Sequence, residues 1–313
     1  MSLISPPFDV VTITLNPAID RTITISNFTP GAVNRVEEVH DTPGGKGVNV
    51  ASSLADVGHR IAVTGFLGRE NAALFEVLFT EKNISDQFVR IAGKTRIGIK
   101  ITDPVAHNTT DINFPGASPM PDAIASLQEQ IAALHAPWFV LAGSLPPGVN
   151  PSLYRDLVTT LNVRGHKVVV DTSDEPLRLA LQAAPAIIKP NIHELEALLG
   201  TPLHSQEAII NAARSLLALG IQLVVVSMGK DGACFVTADR VVIAHPPEVT
   251  VRSTVGAGDA MVAGIVFAQI RNLSLEDCAL LGTAFSLEAL TRAEGSPSSL
   301  AGIKDAMQQV TLR

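Results

Sequence analysis

The sequence predicts an α/β fold of three layers, α/β/α, around a mostly parallel central sheet, with a small β-sheet lid beside it. Three observations lead there. β-branched runs recur along the chain, segments with the apolar stripe of a helix lie between them, and two stretches alternate apolar and polar residues around turn residues. Strands and helices in alternation build a parallel sheet covered on both faces, because each crossover helix packs on the sheet as it returns the chain.

The strand candidates are VVTITL at 10–15 and the runs 60–66, 138–142, 167–171, 186–189 and 223–227. Helical periodicity covers 48–57, 72–80, 123–134, 153–161 and 207–219. The exceptions are 21–41 (RTITISNFTPGAVNRVEEVHD) and 95–114 (TRIGIKITDPVAHNTTDINF), which read as hairpins. Excursions at about 21–41 and 95–116 then form the small sheet, able to serve as a lid or a dimer surface. After Gly256 the chain reads as mostly helical. No internal repeat, low-complexity tract or linker appears, so residues 1–313 are expected to form a single domain.

With 313 residues, 46% hydrophobic and 17% charged, the chain can bury a large core, which excludes disorder as the main reading. A net charge of -7 argues against a generic electrostatic grip on nucleic acid or an acidic membrane surface. An anionic ligand must therefore meet a local basic cluster. The two cysteines, Cys234 and Cys278, are far apart and form neither a disulfide framework nor a metal-ligand spacing, which fits a reducing cytoplasm. The start, MSLISPPFDV, lacks the pattern of a signal peptide, and no run of 18 apolar residues occurs, so neither secretion nor a membrane span is expected.

The sharpest motif is S-T-V-G-A-G-D at 253–259, a small-residue loop leading directly into an apolar helix. Successive backbone N–H groups at such a helix start cradle an anion, and glycines let a phosphate approach closely. Asp259 in the first turn is placed to take the proton from an attacking hydroxyl, although a first-turn aspartate also arises for capping alone. G-G-K-G-V-N at 44–49 repeats the device with a cation inside it: Lys46 can neutralise a phosphate and Asn49 can bond a sugar hydroxyl, while the plain alternative is a glycine turn with a solvated lysine. Arg96, with Arg35 as a third cation, lies in or beside the two excursions and would complete a grip on a substrate phosphate.

Three weaker pieces follow successive strand candidates, where open parallel sheets place their ligand sites: G-S-L-P-P-G at 143–148, K-P-N-I-H-E at 189–194 and S-M-G-K-D-G at 227–232. Each alone reads equally well as a turn. Asn191 and Glu194, three apart at a helix start, could both face a hydrated Mg²⁺ or cap the helix. No segment satisfies G-x-x-x-x-G-K-[ST], no G-x-G-x-x-G follows the first strand and no G-x-S-x-G elbow exists. His40, His107, His193 and His204 show no metal-ligand spacing.

N-P-A-I-D at 16–20, G-G-K-G-x-N, A-G-S-L-P-P-G, K-P-N-x-x-E, S-M-G-x-x-G and S-T-V-G-A-G-D, in that order, resemble the phosphofructokinase B family of carbohydrate kinases, whose fold is ribokinase-like. The resemblance runs from about Val10 through the C-terminal helices. It implies ATP as phosphoryl donor, Mg²⁺, and Asp259 as the base. It implies that Asp20 and Asn49 hold sugar hydroxyls, with Gly45 and Ser144 also on the substrate side. Ser227, Gly229, Gly232, Thr254, Gly256 and Gly258 would surround ATP and Lys189 would lie near its phosphates. Asn191 and Glu194 would sit near Mg²⁺ through water or phosphate. The N–H groups of Gly256, Ala257 and Gly258 would form the anion hole over the transferring phosphoryl group. A homodimer through the lid is implied as well. Within the family, T-L-N-P-A-I-D, G-F-L-G, T-R-I-G-I-K and T-D-I-N-F-P-G are similar to members that act on fructose 1-phosphate. Kinases of tagatose 6-phosphate and fructose 6-phosphate share most of these loops; Asp111 stands near where the 6-phosphate pattern has an arginine. The reading from another class is a sugar-binding regulator on the same scaffold, against which the intact Asp259 and glycine loop argue.

Overall fold

In the computed structural model, which describes residues 7–252, 256–292 and 296–313, fourteen strands form two sheets. In chain order they are β1 (Val10–Thr14), β2 (Ala18–Thr24), β3 (Glu38–Gly44), β4 (Ile61–Gly68), β5 (Ser85–Ile91), β6 (Arg96–Asp103) and β7 (Asn108–Asn113). β8 (Trp138–Ala142), β9 (Lys167–Asp171), β10 (Ile187–Ile188), β11 (Leu223–Ser227), β12 (Ala233–Val236), β13 (Val241–His245) and β14 (Thr311–Leu312) follow. The main sheet runs β14-β13-β12-β11-β10-β9-β8-β1-β4-β5. From β11 to β5 every neighbouring pair is parallel, and β12, β13 and β14 close one edge antiparallel.

The strand side chains alternate between two cores. Val10, Val63, Val140, Val169 and Val225 meet the helices Lys46–Asp56, Ala73–Glu81, Ala257–Ile270, Leu275–Thr291 and Leu300–Met307 on one face. Val11, Phe139, Leu141, Val168, Val170 and Val224 meet Pro121–Ala133, Leu153–Val163, Asp174–Ala180, Ile192–Leu199 and Gln206–Leu217 on the other. Burial on both faces is why these strands read as unbroken apolar runs, and the three layers expected from the sequence are present.

The runs missed by sequence reading have physical reasons. β5 reads SDQFVRI, too polar for a buried strand, because it is the last strand on its edge. β12 and β14 are four and two residues long and rely on β11 and β13 for their pairing. The 186–189 run shrinks to Ile187–Ile188 ahead of Pro190, which has no N–H for a ladder.

The small sheet has the order β3-β2-β6-β7, with β2 and β6 parallel and the outer pairs antiparallel. β6 and β7 form a hairpin, whereas β2 and β3 are joined by the loop 25–37. Directly paired residues share a face. Asp20, Thr22, Thr42, Gly98, Lys100, Asp111 and Asn113 therefore lie on one side, and Ile19, Ile23, Val39, Ile99 and Ile112 on the other. β3 ends at Gly44, so the chain passes from the small sheet through Gly45 straight into the helix that starts at Lys46.

Candidate active site

Two helix starts and the C-terminal ends of β9 and β10 bring Asn49, Lys46, Asp171 and Lys189 around Asp259. The helix Ala257–Ile270 is apolar all round and buried from Asp259 to Ala268, so the body of the helix anchors a first turn whose Gly258 stays exposed. Asp259, only 7% exposed, sits in that turn, and its Oδ2 accepts a 2.7 Å hydrogen bond from Asn49 Nδ2 of the helix Lys46–Asp56. Burial pushes the Asp259 carboxyl up to about 6, Asp171 adding to the rise while Asn49, Lys46 and Lys189 pull it back. A carboxyl poised near neutrality, with both N-terminal helix dipoles beside it, suits a general base next to transferred anionic charge. Gly256 begins the helix at φ 74, a left-handed conformation that glycine adopts without steric cost. Gly258 is not left-handed; a Cβ there would stand 3.7 Å from Lys189 Nζ, so this glycine keeps open the space between the helix start and that ammonium group. Of S-T-V-G-A-G-D, Thr254 lies outside the described residues together with 253 and 255.

The second anchor of the site, Asp171, was not singled out by the sequence. It ends β9, is 1% exposed, and its Oδ1 accepts from Lys46 Nζ at 3.0 Å with Lys189 Nζ at 3.5 Å. Lys46, expected on a phosphate, is thus held on a carboxylate. Burial pulls its ammonium down, but Asp171, Asp259 and Glu194 outweigh that and push it up to about 12. The glycines around it answer to packing: a Cβ on Gly47 would fall 2.3 Å from Thr14 Oγ1, and one on Gly44 would fall 2.3 Å from Asp20 Oδ2. Gly45, at φ 118, lies against Pro17 and Thr14.

On the expected sugar side, burial raises the Asp20 carboxyl, with Lys100 and Arg96 opposing and Asp111 adding. Asn16 of the N-P-A-I-D motif ties this region together: its Nδ2 donates to Pro115 O at 3.1 Å and to Ser144 Oγ at 3.2 Å. The Gly143 carbonyl accepts from Tyr154 Oη at 3.1 Å and Thr172 Oγ1 at 2.9 Å, which fixes the peptide that presents Ser144. Arg96 donates to the carbonyls of Asn16 and Phe114 and lines a groove of about 460 Å³ with Ser144, Thr172 and Ser173. Arg35 is exposed in the loop beyond the Thr24–Glu38 pair, six strand residues or about 20 Å from Gly44.

On the expected nucleotide side, Lys189 is 5% exposed and Asn191 pairs with Ser227 across the strand ends. Asn191 Oδ1 accepts from Glu194 N and Asn191 N donates to Glu194 Oε2, both at 2.8 Å, so the reading as a capping box is realised. Among the described residues no group of three or more His, Cys, Asp or Glu could hold a metal. Gly229 and Gly232 take φ 62 and 89 around a 3-10 turn, and a Cβ on Gly232 would collide with the Ala244 carbonyl at 1.9 Å.

The profile of the pfkB family carbohydrate kinases matches residues 13–300. A 1-phosphofructokinase of Rhodobacter capsulatus is 48% identical over 284 residues, covering 90% of each chain. One of Xanthomonas campestris pv. campestris is 44% identical over 309 residues, covering 96% of this chain and 97% of its own. Among solved structures, phosphofructokinase-2 of Escherichia coli in complex with fructose-6-phosphate superposes with a TM-score of 0.89 at 28% identity, covering 96% of this chain and 98% of the other.

Proposed function

The chain belongs to the pfkB family of carbohydrate kinases and is an ATP-dependent sugar-phosphate kinase, and on that premise we propose that its acceptor is D-fructose 1-phosphate, giving fructose 1,6-bisphosphate. The observation that carries the chemistry is Asp259, a buried carboxyl held near 6 where two helix starts and two ammonium groups meet. The free primary hydroxyl of the sugar loses its proton to Asp259 Oδ as its oxygen bonds the γ-phosphorus. The bond from that phosphorus to the bridging oxygen breaks, leaving ADP. The N–H groups of Gly256, Ala257 and Gly258 face the phosphoryl oxygens, and Lys46 and Lys189 offset the charge gathering there.

Mg²⁺ enters with the nucleotide as MgATP. The absence of a carboxylate cluster among the described residues and the use of Glu194 Oε2 in a cap favour a metal held by phosphates and water, with Asn191 and Glu194 in its outer sphere. Asp20, Asn49 and Ser144 meet sugar hydroxyls, and Arg96 grips the resident phosphate. Ser227, Gly229 and Gly232 bound the nucleotide. The apolar face of the small sheet pairs with a second copy, and the two buried free cysteines fit a cytoplasmic protein. Tagatose 6-phosphate and fructose 6-phosphate are the competing acceptors; the solved relative holding the latter is 28% identical, against 48% and 44% for the two 1-phosphofructokinases. Coupled ADP release with fructose 1-phosphate, fructose 6-phosphate, tagatose 6-phosphate and fructose tests this. The highest kcat/KM is expected for fructose 1-phosphate; a better 6-phosphate overturns the acceptor, and no turnover with any sugar overturns the enzyme in favour of a regulator.

A further inference from the structure

Asp171 carries two cations on one oxygen. Its Oδ1 lies 3.0 Å from Lys46 Nζ and 3.5 Å from Lys189 Nζ, while Oδ2 is buried without a hydrogen-bond partner. An orphaned carboxylate oxygen in a 1% exposed side chain is costly, and a neutral residue at the end of β9 would avoid that cost. Two ammonium groups side by side also repel each other unless an anion stands between them.

We propose that Asp171 is a positioning residue: it gathers Lys46 and Lys189 into one preassembled pair of cations beside Asp259 before any phosphate arrives. The inference rests on the kinase reading for what the lysines then meet. Lys46 comes from the helix after the small sheet and Lys189 from the end of β10, and Asp171 Oδ1 is the carboxylate oxygen that both ammonium groups approach directly. The charged or titratable groups acting on Asp171 are Lys46, Lys189, the Tyr154 phenol and Asp259; those acting on Asp259 are Asp171, Lys46 and Lys189, with Asn49 as its hydrogen-bond donor. Asp171 and Asp259 share no hydrogen bond, so Asp171 reaches the base through its field. With all four ionised the two aspartates balance the two lysines, Glu194 acting on Lys46 from beyond them, and an incoming phosphoryl group draws the lysines forward while the Asp171 charge keeps Asp259 basic.

The test uses the full chain and Asp171→Asn, which keeps the shape and removes the charge. Thermal unfolding is measured first; should the asparagine variant fail to fold, Asp171→Ser, smaller and able to admit water, carries the same measurements. In the first arm, ¹³C NMR of protein labelled at aspartate carboxyls follows Asp259 through pH, its signal identified by loss in Asp259→Asn. Its titration is expected to move down by roughly 1 pH unit or more in the variant. In the second arm, the acid limb of kcat moves down with it, kcat falls roughly 10- to 100-fold, and KM for MgATP does not rise, because the variant misplaces the cations while adding net positive charge. A purely structural aspartate would leave the acid limb in place. Asp259 titrating unchanged, or KM for MgATP rising in step with the fall in kcat, overturns the proposal. Wild-type protein that turns over no sugar phosphate overturns the kinase reading instead, and the NMR arm still decides the role of Asp171.

Discussion

Asp259 links reactivity and stability in one side chain. Its folded value of about 6 lies above the ordinary 3.8, so the native state holds that proton more tightly than the unfolded chain does. The associated stability is fully present below about pH 4 and is lost as pH rises through about 6, up to on the order of 3 kcal/mol. Asp259→Asn carries no such loss. Its melting temperature is expected to exceed that of wild type at about pH 8, with the gap closing towards pH 4, while kcat drops by about 10²- to 10⁴-fold. A variant that turns over like wild type removes Asp259 from the role of base. For Arg96→Ala, kcat/KM for fructose 1-phosphate is expected to fall roughly 10- to 100-fold, with far less loss for free fructose, as expected from losing one charge-assisted hydrogen bond to a remote phosphate. Equal losses for both acceptors would exclude the grip. Asp259, Lys46 and Asn49 were legible because each sits inside a local glycine-rich pattern. Asp171 was not, because its partner Lys46 is 125 positions away and an acidic residue at a strand end carries no local signal.

At the scale of elements, the two helix starts use glycine for different purposes, and the sequence does not separate them. Gly256 needs its left-handed backbone, so Gly256→Ala is expected to cost about 1–2 kcal/mol of stability. Gly258 has room for a methyl group but borders Lys189 Nζ at 3.7 Å, so Gly258→Val is expected to melt near wild type and yet lose phosphoryl transfer. If Gly258→Val retains turnover, the phosphate lies elsewhere. Gly44 serves the small sheet: its missing Cβ leaves the space that the Asp20 carboxylate occupies. Asn191 and Glu194 show the same limit of sequence reading, because a cap and an outer-sphere metal contact ask for the same residues three apart.

At the scale of the molecule, the layer order was legible because parallel strands buried on both faces leave long apolar runs, while edge strands such as β5 and β14 carry no such signature. The small sheet was legible as an excursion through its period of two, and that same period defines its unfinished side. Val39 is 57% exposed and Ile112 45% exposed on the face they share with Ile23 and Ile99, whereas the opposite face carries Asp20, Thr22 and Lys100. On that face Ile19 and Ile101 are already buried and Arg21 pairs with Asp41, so the exposed part is a mixed patch around Val39 and Ile112, which gains by burial against an identical face, since a two-fold axis makes the patch its own complement. Because the chain runs from β3 through Gly44 and Gly45 into Lys46, anchoring this sheet would also steady Asp20 in its proposed contact with the sugar. Sedimentation is therefore expected to give a dimer for wild type. Ile112→Arg on the exposed strand β7 should shift it towards monomer without lowering the melting temperature of the main domain, and KM for the sugar phosphate should rise more than KM for MgATP. A wild-type monomer at working concentrations, or a dimer indifferent to Ile112→Arg, would assign the apolar face another role.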